Sequence, residues 1–112
     1  MKIYHNTRCR KSRETLQLIK DANVNVDIVE YLKEPLSKDE LEKVLMKLNM
    51  KPEEIVRKGE KIFKEKLKGL SFTDQEWVKI LIENPILIER PIVVKGNSAV
   101  IGRPPENVKK FL

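Results

Sequence analysis

The chain has 112 residues, of which 40% are hydrophobic and 36% are charged, and its formal net charge is +6. This length suits a single domain (residues 1–112) with one hydrophobic core, and excludes a multidomain enzyme. One cysteine excludes an internal disulfide framework and a multi-cysteine zinc site, so we expect no metal. No apolar run approaches the about 20 residues of a transmembrane helix, and the N-terminus lacks the apolar part of a signal peptide. We therefore expect a cytoplasmic protein that does not contact membranes.

The first strand and helix are predicted from a short apolar run followed by helical periodicity. In chain order we predict a strand over residues 2–5, a turn over 6–8, a helix from Cys9 to about Ala22, and a strand over 26–31. Leu16 and Ile19 are expected on the buried side of this helix. The chain therefore begins with a β-α-β unit.

The middle of the chain carries two helix-start signals. Ser37 with Glu40, and Thr73 with Glu76, have the spacing of capping boxes. They predict helices beginning at residues 38 and 74, the first with apolar residues at the helical positions 41, 44, 45 and 48 and the second ending near residue 83. Short helical segments are predicted over 51–70, a hairpin of strands 91–95 and 99–101, and a last short helix over 104–112.

The order of elements restricts the fold. The first β-α-β unit must be parallel with a right-handed crossover, whereas the last two strands form an antiparallel hairpin. A mixed four-stranded sheet with flanking helices, and a helical insertion between strands two and three, satisfies both conditions. This α/β arrangement is thioredoxin-like.

The excess positive charge surrounds the single cysteine. The first 13 residues hold five basic and no acidic side chains, and the rest of the chain carries a net charge of only +1. Aromatic residues are 5% of the chain and do not alternate with the arginines, so the charge does not indicate a nucleic-acid-binding surface. The charge instead points to an anion near Cys9.

Cys9 is predicted to lie at or beside the N-cap of the first helix. Free N–H groups and the helix dipole stabilise an anion there, so the pKa of the thiol is expected to be lowered. Arg8, Arg10, Lys11 and Arg13 are expected to strengthen this effect. Bases are otherwise unfavourable in a first helical turn, which indicates that a thiolate, a bound oxyanion or both occupy this helix end.

Cys9 and Ser12 have the spacing of a CxxC redox pair in which serine replaces the second cysteine. A hydroxyl cannot form a disulfide, so any redox cycle must take its second thiol from a small molecule or another protein. Ser12 either donates a hydrogen bond to the thiolate or satisfies backbone groups of the first turn. His5, the only histidine, either points towards the thiol and keeps it ionised or bonds to the backbone at the strand end.

Arg90 and Arg103 each precede a proline. The Arg90–Pro91 bond is a candidate cis peptide, a state found in about 5% of such bonds. In a thioredoxin-like sheet this loop lies opposite the first turn of the first helix, which would place Arg90 near Cys9, with Arg103 approaching from the same end. A guanidinium suits a tetrahedral oxyanion because it offers paired donors, and the alternative for each arginine is a surface ion pair.

Five ordered segments, spread over essentially the whole chain, resemble the glutaredoxin-linked arsenate reductase family. They are residues 5–13 (HNTRCRKSR), 31–35 (YLKEP), 57–60 (RKGE), 84–93 (NPILIERPIV) and 102–104 (GRP). The resemblance implies that Cys9 attacks arsenate and forms a thiol–arsenate adduct. It further implies that glutathione, as co-substrate, and glutaredoxin complete the reduction without a bound cofactor, in a protein expected to be a monomer.

The same resemblance implies a role for each candidate site residue. Arg57, Arg90 and Arg103 match the oxyanion-binding arginines, and His5 and Ser12 match positions that support the thiolate. Arg8 and Lys11 are further thiolate-supporting candidates because of their charge, although many relatives have small or neutral residues at positions 8 and 10.

The resemblance leaves two alternatives to arsenate reduction. One is a glutathione-dependent reductase of other thiol adducts, and the other is a redox-type transcription regulator that binds RNA polymerase. The regulator has a true CxxC motif, which Cys9 with Ser12 lacks, and Arg103–Pro104 is more typical of the reductases. We therefore expect arsenate reduction.

Overall fold

A computed structural model describes all 112 residues of the chain. The helices and strands, in chain order, are β1 (Lys2–Tyr4), α1 (Arg10–Asp21), β2 (Asp27–Val29), α2 (Lys38–Leu48), α3 (Asp74–Glu83), β3 (Ile92–Lys95) and β4 (Ser98–Ile101). Short 3-10 helices span Pro52–Ile55, Pro85–Leu87 and Pro105–Phe111, and a π-helical turn spans Phe63–Leu67. The predicted elements are confirmed, with ends that shift by one or two residues. None of the helices has the length and apolar character needed to span a bilayer.

The contacts divide the chain into two compact units. The first unit consists of Met1–Glu34 and Arg90–Leu112 and contains the whole sheet, α1 and the C-terminal 3-10 helix. The second unit is Pro35–Glu89 and contains α2, α3 and the short helical segments between and after them. The second unit is therefore the predicted helical insertion between strands two and three.

The sheet of the first unit has four strands in the order β2-β1-β3-β4. β1 pairs in parallel with β2 and antiparallel with β3, and β3 pairs antiparallel with β4. Ile3 in β1 lies opposite Ile28 in β2 and Val93 in β3. This topology confirms the predicted mixed, thioredoxin-like sheet, because a parallel β-α-β unit and a C-terminal hairpin are joined by the antiparallel pairing of β1 with β3.

The core of the first unit fixes α1 against the sheet. Ile19 of α1 is fully buried with Ile3 of β1 and Val93 of β3, and Val108 and Phe111 of the C-terminal 3-10 helix complete the cluster. Burying side chains of this size stabilises the unit by about 1.5–3 kcal/mol each. Because α1 packs against the sheet, its N-terminus, where the candidate thiol lies, has a defined position relative to the strands.

The helices of the second unit begin where their caps predict. Ser37 Oγ accepts a hydrogen bond from the backbone N–H of Glu40 at 3.1 Å. Thr73 and Glu76 form a reciprocal capping box, with bonds of 3.2 and 2.8 Å. Such hydroxyl caps each contribute about 0.5–2 kcal/mol because they satisfy N–H groups that the helix leaves free. α2 and α3 then pack against each other.

Candidate functional site

Cys9 is the N-cap residue of α1, with extended backbone angles of φ −93° and ψ 121°. Its N–H donates to the carbonyl of Asn6 at 3.1 Å, and its carbonyl accepts the N–H of Arg13 at 3.0 Å. The thiol therefore lies at the positive end of the helix, as the sequence predicts, and only 9% of the residue is exposed.

Asn6 holds the loop that precedes the thiol. Its side-chain Oδ1 accepts the backbone N–H of Arg8 at 3.0 Å, and its own N–H donates to Ser12 Oγ at 3.1 Å. The sequence predicts a turn that begins at Asn6 but does not indicate a role for its side chain. The available signal was the residue type, since asparagine side chains stabilise turns by bonding to the backbone two residues on.

Two arginines distant in sequence meet the sulfur of Cys9. Arg103 Nη2 donates to Cys9 Sγ at 3.4 Å, while Arg103 Nε donates to the carbonyl of Arg90 at 2.8 Å. The Arg90 side chain also donates a hydrogen bond to the thiol. The peptide bonds that follow both arginines, Arg90–Pro91 and Arg103–Pro104, are cis. The end of β4 and the approach to β3 thus bring two guanidinium groups to one thiol.

The surroundings lower the pKa of the Cys9 thiol. Burial is the largest influence and raises the pKa, because it disfavours the charged form. It is outweighed by the backbone N–H of Ser12, by the hydrogen bond from Arg90, and by the charges of Arg103 and Arg90. The Ser12 contribution is an electrostatic attraction rather than a well-aligned capping hydrogen bond. A larger fraction of Cys9 is therefore thiolate at neutral pH than for an ordinary cysteine.

The cations of residues 8–13 differ from the sequence expectation. Arg10 lies on the solvent side of α1 and forms an ion pair with Glu14, with Nε and Oε1 2.8 Å apart. Arg13 Nη1 donates to the carbonyl of Thr7 at 3.0 Å. Both guanidinium groups thus bind partners other than the thiol, and neither is among the causes of the lowered pKa of Cys9.

Arg8 and Lys11, the predicted thiolate supporters, are also exposed and do not contribute to that shift. Charges that extend into water are screened, so closeness in sequence does not make them effective. The lowered pKa of Cys9 was expected, but its cationic causes are Arg90 and Arg103 instead.

His5 and Ser12 form a buried pair beside the thiol. His5 Nδ1 and Ser12 Oγ are hydrogen bonded at 2.6 Å, and the same oxygen accepts the N–H of Asn6. Burial lowers the pKa of His5, followed by a smaller opposing effect of Glu30. A neutral imidazole therefore bonds to the hydroxyl, and the side chain of Ser12 serves His5 and a backbone group while its N–H faces the sulfur of Cys9.

We expect Ser12→Ala to destabilise the fold far more than it changes the thiol. Removing the hydroxyl leaves buried groups of His5 and Asn6 without their partner, which costs about 1–3 kcal/mol of unfolding free energy. The backbone N–H that faces Cys9 remains, so the pKa of the thiol changes little. Urea denaturation and the pH dependence of alkylation measure the two effects, with the exposed Ser71→Ala as control. An unchanged unfolding free energy with a raised thiol pKa would contradict this assignment.

We expect iodoacetamide to alkylate Cys9 with an apparent thiol pKa below the about 8.5 of a free cysteine. Because the folded site lowers this pKa, the reactive thiolate is populated at lower pH than in the unfolded chain. Cys9 is the only cysteine, so the rate reports this site alone. The same protein unfolded in urea is the control. Equal apparent pKa values for the folded and unfolded chains would contradict the stabilisation of the thiolate.

Arg57, the third predicted oxyanion-binding arginine, belongs to the second unit. Its N–H donates to the carbonyl of Leu87 at 2.7 Å, next to an isolated bridge between Val56 and Ile88. Its Nε lies 3.2 Å from Glu60 Oε1, and its Nη1 lies 3.9 Å from Glu89 Oε2. The ion-pair alternative therefore describes its contacts within this unit, and its part in oxyanion binding remains a prediction.

Two buried residues beside the site were not assigned roles from the sequence. Thr15 lies on the same face of α1 as Ser12 and Ile19, and Gly102 immediately precedes Arg103. Polar residues at helical spacing on an otherwise apolar face were the signal for Thr15. Gly102 has no local signal beyond its place in the GRP segment.

The site and the sheet together define a class: a thioredoxin-like protein with one activated cysteine at a helix N-terminus and a pair of arginines on its sulfur. Within that class the chain belongs to the ArsC family, whose sequence profile matches residues 4–111. The resemblance found in the five sequence segments is thereby confirmed at the level of the ArsC family.

Relatives and solved structures of this family align with nearly the whole chain. The uncharacterized protein YfgD of Escherichia coli strain K12 is 44% identical over 114 aligned positions, which cover 100% of this chain and 96% of the relative. An arsenate reductase of Haemophilus influenzae is 39% identical and covers 98% of this chain and 97% of its own length. The structure of an arsenate reductase from Vibrio cholerae has a TM-score of 0.94 at 38% identity, over 100% of this chain and 98% of that one.

Proposed function

We propose that this protein is a cytoplasmic single-cysteine oxidoreductase that reduces arsenate to arsenite with glutathione and glutaredoxin. The observation that carries the proposal is the Cys9 sulfur, which receives a hydrogen bond from Arg103 at 3.4 Å and another from Arg90 at the N-terminus of α1. Two relatives at 38–39% identity, from Haemophilus influenzae and Vibrio cholerae, are named arsenate reductases, which supports this choice of oxyanion.

The first chemical step uses the charges around the thiol. The Cys9 thiolate attacks arsenic, a sulfur–arsenic bond forms, and one arsenate oxygen leaves as water after protonation. Arg90 and Arg103 hold the thiolate before the reaction and neutralise the oxyanion as it approaches, since guanidinium groups bind tetrahedral anions through paired donors. By the family resemblance, Arg57 is a third oxyanion ligand, and His5 and Ser12 maintain the loop and helix end that carry the thiol.

The reduction then needs two electrons that Cys9 alone cannot supply. Two external thiols provide them. Glutathione attacks the arsenic of the adduct and displaces a second oxygen as water, and the thiol of glutaredoxin then attacks the glutathione sulfur, so that the bond between this sulfur and arsenic breaks and its electron pair stays on arsenic. Arsenic passes from the pentavalent to the trivalent state, and one mixed disulfide forms between glutathione and glutaredoxin. Water then hydrolyses the bond between Cys9 and arsenic, so that arsenite leaves and Cys9 returns as the thiolate. Serine at position 12 is compatible with this cycle because it cannot divert Cys9 into an internal disulfide.

A coupled assay with purified components tests the proposal. Arsenate, glutathione, glutaredoxin and the protein are mixed, and arsenite is measured directly. We expect turnover with glutaredoxin, and none after Cys9 is alkylated, the sole cysteine making this a clean control. Replacing glutaredoxin by thioredoxin tests the identity of the reductant. Arsenite no faster than with the alkylated protein would overturn arsenate reduction, and turnover of a glutathionylated peptide alone would replace it with thiol reduction.

A further inference from the structure

Gly102 is a glycine because of the space around it, not because of its backbone. It is not among the residues with positive φ, which include Gly69 and Gly96. A Cβ at position 102 would overlap Thr15 Oγ1 and lie 2.8 Å from Pro91 Cγ, closer than real side-chain contacts allow. Gly59, by contrast, has nothing within 4 Å of such an atom.

The close contact at Gly102 joins α1 to the end of β4. The Gly102 N–H donates to the carbonyl of Pro91 at 2.9 Å. Thr15 Oγ1, which donates to the Lys11 carbonyl at 2.8 Å, also lies 3.4 Å from the Gly102 carbonyl. The hydroxyl of the fully buried Thr15 thus contacts the backbone of Gly102. Any other residue at position 102 would have to lie farther from α1, because its Cβ would overlap Thr15.

Arg103 follows Gly102 directly, so the backbone position of Gly102 determines where Arg103 lies. The Arg103 N–H donates to the carbonyl of Ile101 at 2.9 Å, which makes a tight turn centred on Gly102. Its guanidinium bridges the Arg90 carbonyl and the Cys9 sulfur. The distance of 3.4 Å is within the range of an N–H···S hydrogen bond, and the bond weakens when the guanidinium is displaced from the sulfur.

We propose that Gly102 is a positioning residue that acts through Arg103: the absence of a side chain lets the end of β4 lie against Thr15, so that the Arg103 guanidinium reaches the sulfur of Cys9. The proposal deepens the proposed function, because it rests on Cys9 as the reactive thiol. Arg103 and Arg90 are the charged groups that lower the pKa of this thiol, whereas the cations of residues 8–13 are exposed to solvent. A methyl group at position 102 therefore moves one of two effective charges.

The test is the pH dependence of Cys9 alkylation in the whole protein. We expect Gly102→Ala to raise the apparent pKa of the thiol by about 0.5–1 unit, so that alkylation at neutral pH slows about three- to tenfold. Gly59→Ala is the matched control and leaves the profile unchanged, because its Cβ enters open space. A Gly102→Ala protein with the parental profile overturns the proposal.

A double-mutant cycle separates positioning from general loosening of the fold. In an Arg103→Ala background we expect Gly102→Ala to have no further effect on the thiol, since both changes remove one interaction. An equal shift in that background overturns the proposal.

Thr15→Ala removes two of the three atoms that the new methyl group would meet, including the one it would overlap, and leaves Pro91 Cγ. Gly102→Ala with Thr15→Ala is therefore expected to recover part of the parental profile. This double variant also serves if Gly102→Ala alone folds poorly, and a fully shifted profile in it overturns the proposal. Alkylation needs no arsenate, so a shifted profile without arsenite formation would reject only the proposed function.

Discussion

We expect the Cys9→Ser variant to form arsenite no faster than the reaction without protein, a loss of at least about a thousandfold. A serine hydroxyl remains protonated at neutral pH, whereas the Cys9 thiol has a lowered pKa. In the proposed cycle trivalent arsenic must also dissociate from this sulfur atom at the end. In the proposed mechanism glutathione in solution cannot replace Cys9, because a free thiol lacks the arginine pair that we propose to bind the oxyanion.

The measurement is direct arsenite detection in the glutaredoxin-coupled assay, with the unfolding free energy of both proteins determined in urea. Oxygen is smaller than sulfur and the substitution adds no bulk, so we expect the fold to be retained. Cys9→Ala provides a second variant without any polar group. Arsenite formation by either variant above the protein-free rate would reject Cys9 as the nucleophile.

The second large effect is expected for Arg103→Ala, which should lower kcat/KM for arsenate by about 100- to 1000-fold, the range for loss of one oxyanion donor. Two consequences combine: the thiol loses a cation that lowers its pKa, and the oxyanion loses a planar pair of donors. Arg103→Lys should recover only part of the rate, because an ammonium group lacks the separate Nε and Nη2 donors with which the guanidinium contacts the Arg90 carbonyl and the Cys9 sulfur.

Arg10→Ala is the matched control for this prediction. Arg10 is adjacent to Cys9 in sequence, but it is exposed and paired with Glu14, so we expect kcat/KM to stay within about twofold. Steady-state kinetics of the three variants and alkylation profiles of their thiols give both readouts. Equal losses for Arg10→Ala and Arg103→Ala would show that net charge, rather than the geometry at sulfur, controls the reaction.

The order of helices and strands was predictable because its signals are local. Capping residues such as Ser37 and Thr73 satisfy N–H groups within three residues, and the apolar periodicity of α2 lies within a single helix. The parallel pairing of β1 with β2 followed from the connection between them, since a helix separates the strands. The ends of strands shifted because pairing partners, rather than propensity, decide where a strand stops.

The position of the thiol was predictable for the same reason. The approach of Arg90 and Arg103 was expected from the thioredoxin-like sheet, but no local pattern showed that these two, rather than the nearer cations, act on the sulfur. Cys9 lies between a strand and a helix, so its place at the N-cap follows from neighbouring residues. Arg103, whose hydrogen bond reaches it, is 94 residues away along the chain. The nearer Arg8 and Lys11 drew attention by closeness in sequence but are exposed to solvent, where screening removes their effect.

The sequence by itself determined the mixed sheet with its parallel β-α-β unit and its hairpin, and the helix that carries the thiol. It also determined that any redox cycle at Cys9 takes its second thiol from another molecule, since the chain has one cysteine. Each of these follows from residue types or from the order of the elements. Only the tertiary structure decided which of the predicted cations stabilise the thiolate and why position 102 is glycine. Thr15 and Gly102 are 87 residues apart, and the space between them exists only when α1 packs against the end of β4. Packing of that kind depends on distances between elements, which no local pattern of residues specifies.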